Sequence, residues 1–517
     1  MLLRILDMNN SRTFNSIKNV SVVIISKLLQ IFLTFITRTL LIRKIGIEIL
    51  GLDGLFTSIL SVLSLAELGL GSAIIFSLYE PLIKNQEKKI AAYITFFRKV
   101  YALIGIAITL IGVSLLPVLP LLINLPSDVN NLNLIYVLTV MGTSVSYFFS
   151  SKRIIFEADQ RKYKVTVIDA ICNAYMQIAQ ILLIIWFQDY IMVLVNRIVF
   201  VILSNVIIEK AGNSQYSYLK QGKHCKLENK EIKKLFVNTG CVLCHNIGGV
   251  LVTGTDSMII SAIISTIVSG IYSNYVLIIN SVTTFITIAI NSIIPSVGNL
   301  KAESASVEHH YSVYEMVLLV NYIASSFCTS MLFCLLNPFI EIWLGKQYLL
   351  SVNVVIVLCI NFYISTMRYG IGAFCTAGGY FKETILKPIL EAIINIVTSI
   401  WLAKEIGLIG VFIGTFLSLV LGSVWIDPYV LYKRWFMKSF KTHIVIYMKM
   451  LLSTVVFTGI LYFVSENIKI ENSYGELAVK CGVVGIGAVL FIFITTLKLP
   501  GRNMLVKKIK AIFKIDV

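Results

Sequence analysis

The chain has 517 residues, of which 57% are hydrophobic and only 14% charged, with a mean hydropathy of +0.85. That excludes a soluble globular domain, because lipid must be much of its solvent. Its formal net charge of +17 would suit a polyanion binder, but no folded soluble segment exists to carry such a surface.

The N-terminus, MLLRILDMNNSRTFNSIKN, lacks the short apolar core and small-residue cleavage site of a removable signal, so the first span is expected to be retained. Apolar runs of roughly 20 residues or more, continuous rather than alternating, predict membrane-crossing helices and not a barrel. Six are expected near Val20–Ile42, Ile49–Tyr79, Ile90–Ile123, Leu132–Phe156, Thr166–Phe187 and Ile191–Ile208. A basic, polar connection from Glu209 to Lys234 follows and reads as a linker. Six more spans are expected near Leu235–Ile260, Ile267–Leu300, Val313–Leu336, Val352–Phe374, Ile385–Ala403 and Leu408–Leu431, and a last pair at Ile444–Val464 and Leu477–Leu497. The fold class is therefore all-α integral membrane, with about fourteen spans. The expected lobes are 1–208 (six helices) and 235–434 (six helices), joined by the linker 209–234. Residues 435–517 supply the last two helices and a basic amphipathic tail.

With both termini cytoplasmic, most basic residues fall on the cytoplasmic side, leaving Arg43, Lys44, Lys346, Lys404 and Lys469 outside. The tail from Lys498 puts Leu505, Ile509, Ile512 and Phe513 on one helical face and its lysines elsewhere, which suits either the inner leaflet or solvent. The nine cysteines imply no disulfide framework. Cys241, Cys244 and His245 spell the haem-attachment pattern C-x-x-C-H, yet inside a predicted span that chemistry has no workable geometry. His309 and His310 read as loop residues and not metal ligands, and no metal site is expected.

A shift of about 218 residues superposes the two halves. FEADQRKYKVT from Phe156 meets FCTAGGYFKET from Phe374, Thr37 meets Thr255, and Pro120 meets Pro338. An even number of spans per unit makes these parallel repeats, which usually rock around a central site. Polar stripes mark the inward faces. Lys27, Gln30, Thr34 and Arg38 share one face of the first span, and Asn238, Cys241, His245, Gly249, Thr253 and Asp256 one face of the seventh. Asn173, Gln177 and Gln180 in the fifth span are mirrored by Glu391, Asn395 and Thr398 in the eleventh. Such groups often do no more than hydrogen-bond between packed helices. A charge at mid-bilayer, however, costs at least ~2.5 to 3.5 kcal/mol on insertion scales, so a retained one usually faces a partner or a wet cavity. Lys27, Arg197 and Arg368 are therefore expected to form a cationic cavity for phosphate, and Arg38 and Asp256 a gate pair closing the external side. Glu67, Glu391 and Asp256 are candidates for a coupling proton or sodium ion.

Three segments carry a family resemblance: GIEILGLDGLFTSILSVLSLAELGLGSAIIFSLYEPLIK, EADQRKYK and TDSMIISAIISTIVSGIYSNY. Across roughly Val20 to Tyr432 the chain resembles Wzx-type polysaccharide repeat-unit flippases of the multidrug, oligosaccharidyl-lipid and polysaccharide (MOP) exporter superfamily. The resemblance implies translocation of an undecaprenyl-diphosphate-linked oligosaccharide across the bacterial cytoplasmic membrane by alternating access, for capsule or other surface polysaccharide. It also implies two extra C-terminal helices that receive the lipid tail. The alternatives are a lipid II or teichoic-precursor flippase, or a cation-coupled drug antiporter of the same fold. A membrane enzyme is disfavoured, since the outer segments SDVNN, FQDY and SENIKIENSYGE are short and offer no acid/base pair.

Overall fold

In a computed structural model, the structure describes residues 12–67, 70–125, 129–219, 227, 231–232, 235, 248–251, 254–302 and 306–512. The chain is all-helical, 89% helix with no strand among the described residues. Eleven of the described helices are long and apolar enough to cross a membrane, or twelve if one bent pair counts as a single span. The chain is a multi-pass membrane protein. Helices satisfy every interior backbone donor and acceptor within one segment, the condition for crossing hydrocarbon. The second predicted span divides into two shorter helices, and the seventh, Leu235–Ile260, lies largely outside the described residues.

The chain clusters into two compact units, Met1–Gly270 and Ile271–Val517. In the first unit the helices are α1 (Arg12–Lys44), α2 (Ile47–Leu63), α3 (Leu70–Ile83), α4 (Glu87–Ser114), α5 (Leu132–Phe148), α6 (Ser151–Ala158), α7 (Lys162–Phe187) and α8 (Tyr190–Gln215). Helix α5 bends by 53° into α6, so the predicted fourth span is broken near Phe149. Helix α8 runs seven residues past the expected boundary at Ile208, taking the start of the linker into the helix. Arg98 of α4 pairs with Glu209, and Lys89 with Glu231 at 2.5 Å. Near the start of α9 (Thr266–Ala302), the backbone carbonyl of Asn124 accepts the Thr266 N–H at 2.9 Å. Gly51 and Gly270 are required for this packing. A Cβ on Gly51 would overlap the Thr266 carbonyl, and one on Gly270 would lie 2.6 Å from the Ile47 carbonyl oxygen.

The second unit contains most of α9, then α10 (Val307–Trp343), α11 (Val352–Gly378), α12 (Leu386–Ile406), α13 (Leu408–Phe436), α14 (Phe440–Glu466), α15 (Ser473–Thr496) and α16 (Arg502–Ile512). His309 and His310 lie in the first turn of α10 and not in a loop, because Ser306 caps that helix by accepting the His309 N–H. His310 is buried, and its Nδ1 accepts from the Trp435 indole at 3.2 Å. A core of Tyr311, Tyr314, Phe374, Tyr432, Trp435 and Phe436 fills one end of the unit. The span α14 packs on α10 through hydroxyls. Tyr322 meets Ser453, Ser326 meets Thr454 and Ser330 meets Thr458, each at 2.8 Å. In lipid, small hydroxyl residues let backbones approach and supply the interhelical bonds that apolar contact alone does not.

The landmarks Phe156 and Phe374 are both fully buried, two and four residues before a helix end. The turns themselves are alike. Gln160 (φ 58°) and Gly379 (φ 72°) adopt the left-handed conformation, and Arg161 and Tyr380 donate to the carbonyls of Phe156 and Cys375. Both are Schellman caps, related by a shift one residue longer than that of the phenylalanines.

Candidate functional site

Helices α1 and α7 pack against each other along the polar faces expected from their sequences. Between them lies a cavity of about 350 Å³, lined by Lys27, Gln30 and Leu33 from α1 and by Thr166, Asp169, Asn173 and Gln177 from α7. The volume is in the range of small-molecule sites, roughly 300 to 1,000 Å³. Helical periodicity explains the set: residues three or four apart share a face, so each helix delivers its polar groups to one wall. Gln177 closes one end. Its Nε2 donates to Thr34 at 3.2 Å, and its Oε1 accepts from the buried Thr37 hydroxyl at 2.6 Å.

Charge in this cavity is unequal. Asp169 is held by Arg153 through two bonds of 2.6 and 2.9 Å, and also accepts from Ser204 at 2.7 Å. Arg153 donates further to Asn205 at 3.0 Å. The carboxylate is thereby neutralised by a guanidinium fork, a strong charge-assisted arrangement. Lys27 donates to the Gln30 side chain at 3.0 Å, and no carboxylate lies in salt-bridge range of it among the described residues. Among the described residues the cavity thus presents an ammonium with no carboxylate in salt-bridge range, flanked by amides.

Arg197 stands elsewhere. Its guanidinium pairs with Asp53 of α2 at 2.7 Å, and Tyr190 donates to the same carboxylate at 2.5 Å. Arg38 lies within the electrostatic reach of both Asp53 and Arg197. Arg197 also lines a second cavity of about 330 Å³ with Thr57, Ser61, Thr139 and Thr143. Asp256 is buried in the helical segment after residue 254.

In the second unit, Arg368 of α11 pairs with Glu391 of α12 at 3.4 Å, and Lys387 pairs with Asp427 at 2.5 Å. The two carboxylates are 4% and 3% exposed. In so dry a setting an unpaired charge would be costly, which explains the matched set. Asn395 donates to Thr415 at 3.0 Å and so ties α12 to α13.

The expectation of three free cavity cations is therefore revised. Lys27 lines the α1–α7 cavity, Arg197 lines a different one and is paired with Asp53, and Arg368 is paired with Glu391, itself a coupling candidate. Gln30, Thr34, Asn173 and Gln177 do gather around the Lys27 cavity. The Glu67 side chain and His245 lie outside the described residues, as do Asn238, Cys241, Cys244 and Thr253. Sequence reasoning missed Asp53, Asp169, Arg153, Lys387 and Asp427. Asp53 is 144 residues from its partner, and no local spacing announces such a pair. Asp169 carried a usable signal, since it precedes Asn173 and Gln177 on the same stripe by four and eight residues.

No protein-family model and no curated protein matches the chain. Solved structures do. One is the lipid II flippase MurJ in an inward closed conformation, with TM-score 0.64 and 16% identity, covering 95% of this chain and 100% of that one. Another is an inward-facing multidrug resistance MATE family transporter of the MOP superfamily, with TM-score 0.61 and 10% identity, covering 77% and 94%. A third is the Vibrio cholerae MATE transporter VcmN, with TM-score 0.55 and 11% identity, covering 83% and 100%. At these identities the likeness is one of fold: the chain shares the helical fold of these three solved structures.

Proposed function

We propose that the chain is a flippase that carries an undecaprenyl-diphosphate-linked oligosaccharide from the cytoplasmic to the outer leaflet of the bacterial cytoplasmic membrane. Alternating access delivers repeat units for surface polysaccharide assembly, with both termini cytoplasmic. The observation that carries this reading is the α1–α7 cavity, where Lys27 is a cation without a carboxylate partner among the described residues and Asp169 is already engaged by Arg153. An ammonium suits a phosphate oxygen. The amides of Gln30, Asn173 and Gln177 suit the hydroxyls of the first sugar. A cation-exporting antiporter would call for the reverse, an available carboxylate.

In this reading Arg38 and Asp256 close the outer side, and Glu391 binds a coupling proton or sodium ion. Lipid II is the second substrate to consider, because the match to its flippase covers more of this chain than the matches to the MATE structures, 95% against 77% and 83%.

The test is translocation in proteoliposomes loaded with undecaprenyl-diphosphate-linked oligosaccharide, with lipid II in parallel. The wild-type chain should move the oligosaccharide carrier, and Lys27→Gln should slow it by about tenfold while the protein inserts normally. Unchanged transport in Lys27→Gln, or failure of the wild type to move either lipid, would sink the proposal.

A further inference from the structure

A third cavity, of about 440 Å³, lies in the second unit between the end of α10 and the start of α15. Ser473, Tyr474, Glu476 and Lys480 line it from α15, and Glu341 and Lys346 from α10 and the turn beyond. Its charges cancel: Glu476 pairs with Lys480 at 2.7 Å and Glu341 with Lys346 at 3.6 Å. Lys480 is buried, its side chain only 8% exposed. Glu476 also accepts the Ile470 N–H at 3.2 Å, which ties the α14–α15 connection to the cavity wall. Asn472 caps α15 by accepting from the backbones of Tyr474 and Gly475. The Tyr474 ring stands at the rim, 74% exposed.

This chemistry selects among ligand classes. A diphosphate needs surplus cations and a cationic drug needs surplus anions, whereas here each charge is already matched. Paired carboxylates and ammoniums still offer acceptors and donors to neutral hydroxyls, and an exposed aromatic ring offers a flat apolar face. Together these are the parts of a saccharide site, a few placed polar groups fixing orientation beside an aromatic surface. We propose that this cavity is a saccharide subsite: it sits at Glu341, near one end of α10, whereas the start of the tail at Gly501 approaches Glu315, near the other end, so with the C-terminus cytoplasmic as proposed above it faces outward. It holds neutral sugar residues of the translocated oligosaccharide, and so rests on the flippase reading above. A ring at a membrane interface also serves as an anchor, and the experiment separates the two roles.

The full chain in lipid nanodiscs is titrated with the neutral oligosaccharide freed by mild acid from the lipid-linked pool of the producing cell. Saturation-transfer NMR reads the binding. Tyr474→Ala and Glu341→Gln should each weaken it by at least about tenfold, Tyr474→Phe should retain it, and the thermal midpoint should stay unchanged in all three. Equal affinity in wild type and Tyr474→Ala overturns the inference, as does absence of binding to the wild type. A chain that flips the lipid-linked substrate yet binds no free oligosaccharide here refutes this subsite alone. A chain that flips none refutes the flippase reading and the subsite with it.

Discussion

Replacing Asp53 by Asn removes the carboxylate that Arg197 and Tyr190 share, and leaves two guanidiniums, Arg38 and Arg197, in each other's field. Breaking a fully buried pair costs about 3 to 5 kcal/mol. This pair is less dry, with side-chain exposures of 34% for Arg197 and 19% for Asp53. Since exposed pairs are worth only ~0 to 1 kcal/mol, an intermediate cost of about 1 to 3 kcal/mol follows. At roughly 2 to 4 °C per kcal/mol for a unit near 250 residues, the midpoint should fall by several degrees. The assay is thermal unfolding of purified protein in one detergent, run as a double-mutant cycle with Arg197→Met. The double variant should recover part of the loss, because a thioether of similar length needs no counter-charge. A coupling energy near zero would refute the view that Arg197 is a structural cation. So would an unchanged midpoint combined with lost substrate binding, which would return Arg197 to the substrate cavity.

Glu391→Gln removes the carboxylate that faces Arg368, so if Glu391 is the coupling group, the dependence of transport on a proton or sodium gradient should vanish. Proteoliposomes with imposed gradients read this, and a full remaining gradient response would exclude Glu391. Replacing Ser326 and Thr454 together by Ala and Val removes one hydroxyl pair of the α10–α14 interface. The expected coupling is about 0.6 kcal/mol, the usual size of such bonds in membranes; a double-mutant cycle giving several kcal/mol would show that the ladder acts as one unit. Gly414→Val should cost at least about 1 to 3 kcal/mol and displace α13 from α12, since even a Cβ would sit 2.5 Å from the Ser399 backbone nitrogen. A normal yield and midpoint for that variant would contradict the close approach of these helices.

The membrane-spanning helices were legible in the sequence because the cause is local: a run of apolar residues long enough for the bilayer must close its backbone bonds within itself. The polar wall of the Lys27 cavity was legible for the same reason, since Lys27 and Gln30 on one helix, and Asn173 and Gln177 on another, share faces by helical spacing alone. What became of the charges was not. Arg197 looked like a free cation until α2 brought Asp53 to it, and Arg368 until α12 brought Glu391. Asp169 belonged to a stripe, yet only the bend from α5 into α6 delivered Arg153 to its carboxylate. Periodicity reports which way a side chain points, whereas its net charge environment depends on residues of other helices, here 16, 23 and 144 positions away. Sequence by itself therefore determined the spans and their polar faces. Tertiary packing decided which ionisable groups are spent on one another and which, like Lys27, stand without a carboxylate partner among the described residues.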